Sequence, residues 1–270
     1  MRGIFLEKLH SQMKEDSNLF FLTADMGINL VEKFEKDFPD RYLNVGIAEQ
    51  NLIGVAAGLA ESGMRPYVYT ISNFLIHRCL EQIRNDIVLH NLPVTLVGTS
   101  TGYDNGPLGP THHMLEDWGV VSNLTGIEIY APYNKDSANE VFDLTYKSKK
   151  PSYVRISKGS GLESYSEFNK SCDTLVLSYG SACKFAMEYA RIRRLDFLVI
   201  DVLGLGSFPK LNEFCGDYKK IIVIEDHFPH TGMYSYITQW VIQNKPSISI
   251  ERISPVGYSL KVGMDFGSFV

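Results

Sequence analysis

Residues 41–63, RYLNVGIAEQNLIGVAAGLAESG, decide how this chain is read. Ile47, Leu52, Val55, Ala56 and Leu59 recur at roughly helical spacing and Gly63 supplies a stop, so the pattern predicts a helix. Glu49 falls in its first turn, among apolar and small residues. A carboxylate is expensive to bury unless something pairs with it. The positions where a helical partner would stand, Leu52 and Ile53, hold no base. Glu49 either complements the positive end of the helix, a small effect, or is held there for chemistry.

On either side of this stretch, strand-like and helical patterns alternate. NLFFLT from Asn18, RPYVYT from Arg65 and LPVTLVG from Leu92 read as short buried strands. The Glu49 helix and a helix near residues 79–91 lie between them, and SYVRIS from Ser152 closes the set. Residues 158–171, rich in Gly, Ser and charge, read as a linker. DTLVLSYGS, a helix over 181–193, FLVIDV, KKIIVIED and a helix near 233–244 follow. Such alternation argues for parallel sheets covered by helices on both faces. The expected fold is α/β, two doubly wound domains over residues 1–162 and 172–270, joined near residue 165.

The chain has 270 residues, enough for two domains, with 44% apolar residues and a net charge of −5. No basic run interleaved with aromatics occurs, so a nucleic-acid partner is not expected. The start, MRGIFLEKLHSQMKED, is too polar for a signal peptide, and no apolar run approaches about 18 residues, so no membrane span is expected. Cys79, Cys172, Cys183 and Cys215 lack metal-ligand spacing and read as reduced thiols of a cytoplasmic protein. Gly54 and Gly58 cost the Glu49 helix about 1 kcal/mol each against alanine, which close contact at a subunit interface would offset.

Two further segments carry chemistry. TSTGYDNGPLGPTHHMLED, residues 99–117, follows a strand and is rich in glycine and proline. Loops at the carboxyl ends of strands are where open α/β sheets bind ligands. TISNFLIHRCLEQIRND, residues 70–86, runs from strand into helix with Phe74, His77 and Arg78 close together.

With residues 41–63, these segments resemble the pyrimidine-binding domain of the transketolase family, whose cofactor is thiamine diphosphate. IIVIEDHFPHTGMYSYI, from Ile221, resembles the family's C-terminal domain. The resemblance implies that Glu49 hydrogen-bonds the aminopyrimidine ring, promoting the imino tautomer that takes the proton from the thiazolium carbon. That chemistry needs a carboxyl able to exchange a proton in a dry site. It implies that Phe74 stacks on the ring, with the register open by one residue and Tyr69 a weaker second aromatic. Asp25 is expected to contact the cofactor or cap a helix, Asn51 and Gln50 to complete the network around Glu49, and His77 and Arg78 to edge the pocket.

His112 ends a Gly-Pro-Thr-His motif whose histidine faces the substrate in the family and can donate to a developing alkoxide. His113 is expected to point away from it. Leu108 stands where relatives carry an aspartate on a substrate hydroxyl, and Ser100 where they carry a further histidine. Lys158 stands where they carry a phosphate-holding arginine; lysine binds phosphate as a point charge rather than a fork. These departures put ordinary pentose-phosphate donors in doubt.

The Gly-Asp-Gly signature of the family's diphosphate- and metal-binding domain is absent; the single Gly-Asp, Gly216-Asp217, is followed by Tyr218. The resemblance therefore implies the C-terminal subunit of a split transketolase. Such a subunit would transfer a two-carbon ketol unit from a ketose or ketose phosphate to an aldose. It would be active only with an N-terminal partner holding the diphosphate and Mg2+, in an α2β2 heterotetramer. A deoxyxylulose-phosphate-synthase-like subunit, a 2-oxo-acid dehydrogenase β-like subunit and a non-catalytic assembly subunit are the alternatives.

Overall fold

The computed structural model describes residues 1–159, 162, 166–167, 172–201, 218–260, 262–263 and 266–270. Four apolar runs form the centre of the first sheet: β1 (Leu19–Thr23), β3 (Arg65–Ile71), β4 (Thr95–Thr99) and β6 (Ser152–Ile156). They are buried on both faces, as the middle strands of a parallel sheet must be. Two short strands, β2 (Tyr42–Asn44) and β5 (Glu128–Tyr130), form the edges. The order is β2-β1-β3-β4-β6-β5, and every pairing is parallel.

One face of this sheet is covered by α1 (Arg2–Glu15), α2 (Glu32–Asp37) and α6 (Lys135–Lys147) around Phe5, Phe34, Phe142 and Tyr67. The other is covered by α3 (Glu49–Glu61), α4 (Ser72–Gln82) and α5 (Asp117–Ser122), in a core continuous with the second domain. Trp118 of α5 marks the junction. Its ring stacks on Tyr236 at 5.0 Å and meets Tyr179 edge-on at 5.0 Å.

The second sheet runs β11-β10-β8-β9-β7, from β7 (Ser166–Glu167), β8 (Thr174–Ser178), β9 (Asp196–Val199), β10 (Lys220–Ile224) and β11 (Ser249–Ile253). Helices α7 (Cys183–Arg193) and α8 (Met233–Asn244) accompany it. This sheet is mixed rather than wholly parallel: β7 lies antiparallel on β9, while the other three pairings are parallel. A reversed edge strand on a parallel sheet is a common arrangement, because it needs pairing on one side only.

Two local readings shift. The helix expected near 79–91 begins at Ser72, directly after β3, and passes into a π-helical turn, Ile83–Val88. Ser72, Leu75, Ile76 and Cys79 are its buried stripe, at helical spacing that starts directly after the strand. Ile47 lies before α3 and is 78% exposed; the buried side of α3 is Glu49, Leu52, Ile53, Ala56, Ala57 and Ala60. Cys215, Gly216, Asp217 and most of the expected linker lie outside the described residues. Cys79, Cys172 and Cys183 are free thiols. Among the described residues no helix is long and apolar enough to cross a membrane, and no His, Cys, Asp or Glu side chains group as a metal site.

Candidate active site

Glu49 opens α3 with its side chain 3% exposed. Its partner comes from α4: Arg78 Nη1 donates to Glu49 Oε2 at 2.5 Å. The Arg78 guanidinium also lies 4.8 Å from the centre of the Phe74 ring. Phe74 in turn meets His112 at 5.4 Å between ring centres, edge to face. Glu49, Arg78, Phe74 and His112 thus form one line of contacts across the carboxyl ends of β3 and β4. Gln50 Nε2 donates to the Arg78 carbonyl at 3.1 Å and braces the end of that line. Arg78 keeps 43% of its side chain exposed, so the cation on this buried carboxylate is carried by a long flexible stem.

The loop over residues 99–117 is tied down at both feet. Gly102 N–H donates to the Met114 carbonyl and Met114 N–H to the Gly102 carbonyl, both at 2.9 Å. Asn73 Nδ2 of α4 donates to the His113 carbonyl at 2.6 Å. The adjacent histidines point apart. His112 is half-buried against Phe74, whereas His113 is buried against Tyr103 and Phe269, and burial pushes its pKa below the ordinary histidine value. Ser100 is buried at a left-handed φ of 63°, with a hydroxyl that has no hydrogen-bond partner among the described residues. Leu108 ends a 3-10 turn, Gly106–Leu108, and is 58% exposed. Lys158 joins this loop: its N–H donates to Asp104 Oδ2 at 2.8 Å and its ammonium to Asn105 Oδ1. Desolvation lowers the Lys158 pKa.

Not every expected residue joins the line. Asp25 follows β1 at φ 43°, its N–H on Asn44 Oδ1 at 2.9 Å, and Asn51 is exposed on α3. Among the described residues no hydrogen bond or ion pair joins either to Glu49, Arg78 or His112. His77 is exposed, 3.9 Å from Glu116. Tyr69 is wholly buried in the core under α1 and α2, whereas Phe74 is half-buried. Gly54 and Gly58 are exposed, and among the described residues no atom outside their own helix backbone lies within 4 Å of where a Cβ would stand.

The structure also assembles a buried charge cluster beneath the loop. Arg155 of β6, Asp117 of α5 and Asp226 after β10 have fully buried side chains. Arg155 Nε donates to Asp117 at 2.8 Å and Nη2 to Asp226 at 3.0 Å; Tyr153 OH donates to Asp117 at 2.8 Å. The sequence carries a signal for it: Arg155 sits inside VRIS and Asp226 ends IIVIED, and a charge in a buried run requires a partner. The sequence does not say which partner.

The family model described as "Transketolase, pyrimidine binding domain" matches residues 1–162. The chain is similar to one of the subunits of the apulose-4-phosphate transketolase of Actinobacillus succinogenes, 28% identical over 96% of this chain and 90% of that one. It is similar to the 1-deoxy-D-xylulose-5-phosphate synthase of Halothermothrix orenii, 31% identical over 88% of this chain but only 40% of that one. The fold matches a solved structure described as a split gene transketolase, inactive beta4 tetramer, at a TM-score of 0.80 and 24% identity, over 95% of this chain and 89% of that one. A pyrimidine-domain match over more than half of the residues, on a fold shared along almost the whole length, establishes that this chain belongs to the transketolase family.

Proposed function

We propose that this chain is the pyrimidine-side subunit of a two-chain cytoplasmic enzyme that transfers a two-carbon ketol unit from a ketose phosphate to an aldose. An N-terminal partner would hold the diphosphate and Mg2+ ends of thiamine diphosphate, in an α2β2 assembly. The observation that carries the reading is the buried Glu49 carboxylate, lined up with a half-buried aromatic ring, Phe74, and with His112 beyond it.

These residues fit an aminopyrimidine. Glu49 offers a buried acceptor, and the Arg78 cation can swing out on its half-exposed stem. Phe74 offers a flat apolar surface. When bound, thiamine diphosphate supplies the reactive carbon and the electron sink for breaking the donor's carbon–carbon bond. Glu49 would hold the pyrimidine ring and supply the group that exchanges its proton, and Arg78 would have to leave the carboxylate for it to do so. His112 donates a hydrogen bond to substrate oxygen. Ser100 would offer its hydroxyl, buried and without a partner among the described residues, and Lys158 a point charge for a phosphate. Asp25, Asn51, His77 and Leu108 line the outer rim, and residues 172–270 act as the C-terminal domain.

Partner dependence is supported by the exposed face around α3, where Ile47, Gly54 and Gly58 are uncovered by the described residues. A phosphorylated ketose donor is supported by the name of the relative from Actinobacillus succinogenes. A second reading, condensation of pyruvate with an aldehyde phosphate, is favoured by the 31% identity to a deoxyxylulose-phosphate synthase. Release of carbon dioxide from pyruvate separates the two.

The test is Glu49→Gln in the assembly reconstituted with the N-terminal partner. The variant should assemble normally, yet exchange the hydrogen on the cofactor's reactive carbon with deuterium at least about 100-fold more slowly, within the range for a positioned acid–base group. Exchange at the wild-type rate would reduce Glu49 to a structural role and remove the proposal.

A further inference from the structure

We infer that Asp226, in the C-terminal domain, is a positioning residue for the loop over residues 102–114, holding it in the closed form that presents His112. The functional half of this inference rests on the reading above that the loop faces substrate.

Both feet of the loop stand on one buried cluster. At one foot, Arg155 Nη2, the same nitrogen that donates to Asp226 at 3.0 Å, reaches the Met114 carbonyl at 3.5 Å. At the other foot, the Asp226 carboxylate lies directly against the α-carbon of Gly102, where a Cβ would overlap Asp226 Oδ2. Gly102 has a φ of 55°, so this residue both turns the chain and admits the carboxylate. Between the feet run the two Gly102–Met114 hydrogen bonds that close the loop.

Asp226 is itself oriented from its own domain. The Ser181 hydroxyl donates to Asp226 Oδ2. Gly180, at φ 63°, leaves the space that Arg155 Nη1 fills, and the Tyr179 ring lies 5.1 Å from the guanidinium. A mere staple between domains would need only the Arg155–Asp226 pair. Here the carboxylate also packs on the loop backbone, and its bonded cation reaches the opposite foot. Loop closure is thereby made conditional on a group from the other domain.

Asp226→Ala removes the carboxylate; Asp226→Asn keeps an acceptor for Arg155 and a polar contact for Ser181. Amide hydrogen exchange in the full chain reads the closure at Gly102 and Met114, with the amides of α3 as an internal reference. Asp226→Ala should speed exchange at the two loop amides at least tenfold more than in α3, and Asp226→Asn should restore protection to within about threefold. Ser181→Ala, which removes one of the carboxylate's bonds at a partly exposed site, should give about threefold and keeps the test readable if Asp226→Ala is recovered only unfolded. Unchanged loop protection, or equal loss in the loop and α3, overturns the inference.

In the reconstituted assembly, Asp226→Ala should raise KM for the ketose phosphate about tenfold and leave the dissociation constant of thiamine diphosphate within twofold. A loosened loop with unaltered KM would sustain the anchor and refute the substrate-facing reading instead.

Discussion

Arg155→Met is the most direct probe of how the two domains are held together. The substitution keeps a long, flexible side chain against Tyr179 but removes the cation shared by two fully buried carboxylates. At an effective dielectric of about 20, unit charges about 4 Å apart interact by about 4 kcal/mol. Breaking a buried pair by removing one partner costs about 3–5 kcal/mol, because the remaining charge is stranded. Two carboxylates are stranded here, yet each retains a hydroxyl donor, Tyr153 for Asp117 and Ser181 for Asp226. The net loss is therefore about 4 kcal/mol. With a urea slope of about 2–3 kcal/mol/M, the midpoint should fall by about 1.5 M.

The assay is urea unfolding followed by tryptophan fluorescence, since Trp118 packs between Tyr179 and Tyr236 at the domain junction. Far-UV circular dichroism checks that one transition is observed. The triple variant Arg155→Met, Asp117→Asn, Asp226→Asn removes the stranded charges and should recover at least half of the loss. A midpoint for Arg155→Met within about 0.3 M of wild type, or a triple variant no more stable than the single one, would refute the electrostatic account.

Leu108→Asp should raise catalytic efficiency with xylulose 5-phosphate relative to the native donor and change stability by less than about 0.5 kcal/mol, because the side chain is exposed; efficient use of that sugar by the unmodified assembly would remove the argument. Gly54→Ala with Gly58→Ala should stabilise the isolated chain by up to about 2 kcal/mol, since neither Cβ would crowd an atom of the described residues, and should weaken assembly with the partner; gains in both measurements would mean that this face of α3 is not an interface. Burial pushes Glu225 up to about 8, despite bonds from the Met233 and Tyr234 N–H groups. Its folded pKa therefore lies above the unfolded value, and stability should fall as pH rises from about 5 to 8, by at most about 1.4 kcal/mol per unit. Glu225→Gln should flatten that fall in pH-dependent urea titrations, and parallel curves would refute the assignment.

The sequence alone determined the class of fold and the identity of the central strands. LFFLT, TLVGT and KIIVI are apolar on both faces, and a run of that kind has few places to go except the middle of a helix-covered sheet. It also placed Glu49 in the first turn of a helix, because small and apolar residues follow it to a glycine stop. Helical spacing alone does not fix where a helix begins, and Ile47, although in phase with the pattern, lies in the turn before α3. The edge strands β2, β5 and β7 carry two or three residues each, too few for a periodic pattern to stand out.

Tertiary structure alone decided who pairs with whom. Glu49 finds its cation 29 residues away on another helix, and Arg155 finds its second carboxylate 71 residues away in another domain. The cost of burying a charge is local and can be read from sequence. The partner that offsets that cost is set by how sheets and helices stack, which local pattern does not encode. His112 and His113 show the same division: their neighbourhood was legible, but their opposite surroundings, Phe74 of α4 for one and the Tyr103–Phe269 cluster for the other, exist only once the loop is folded.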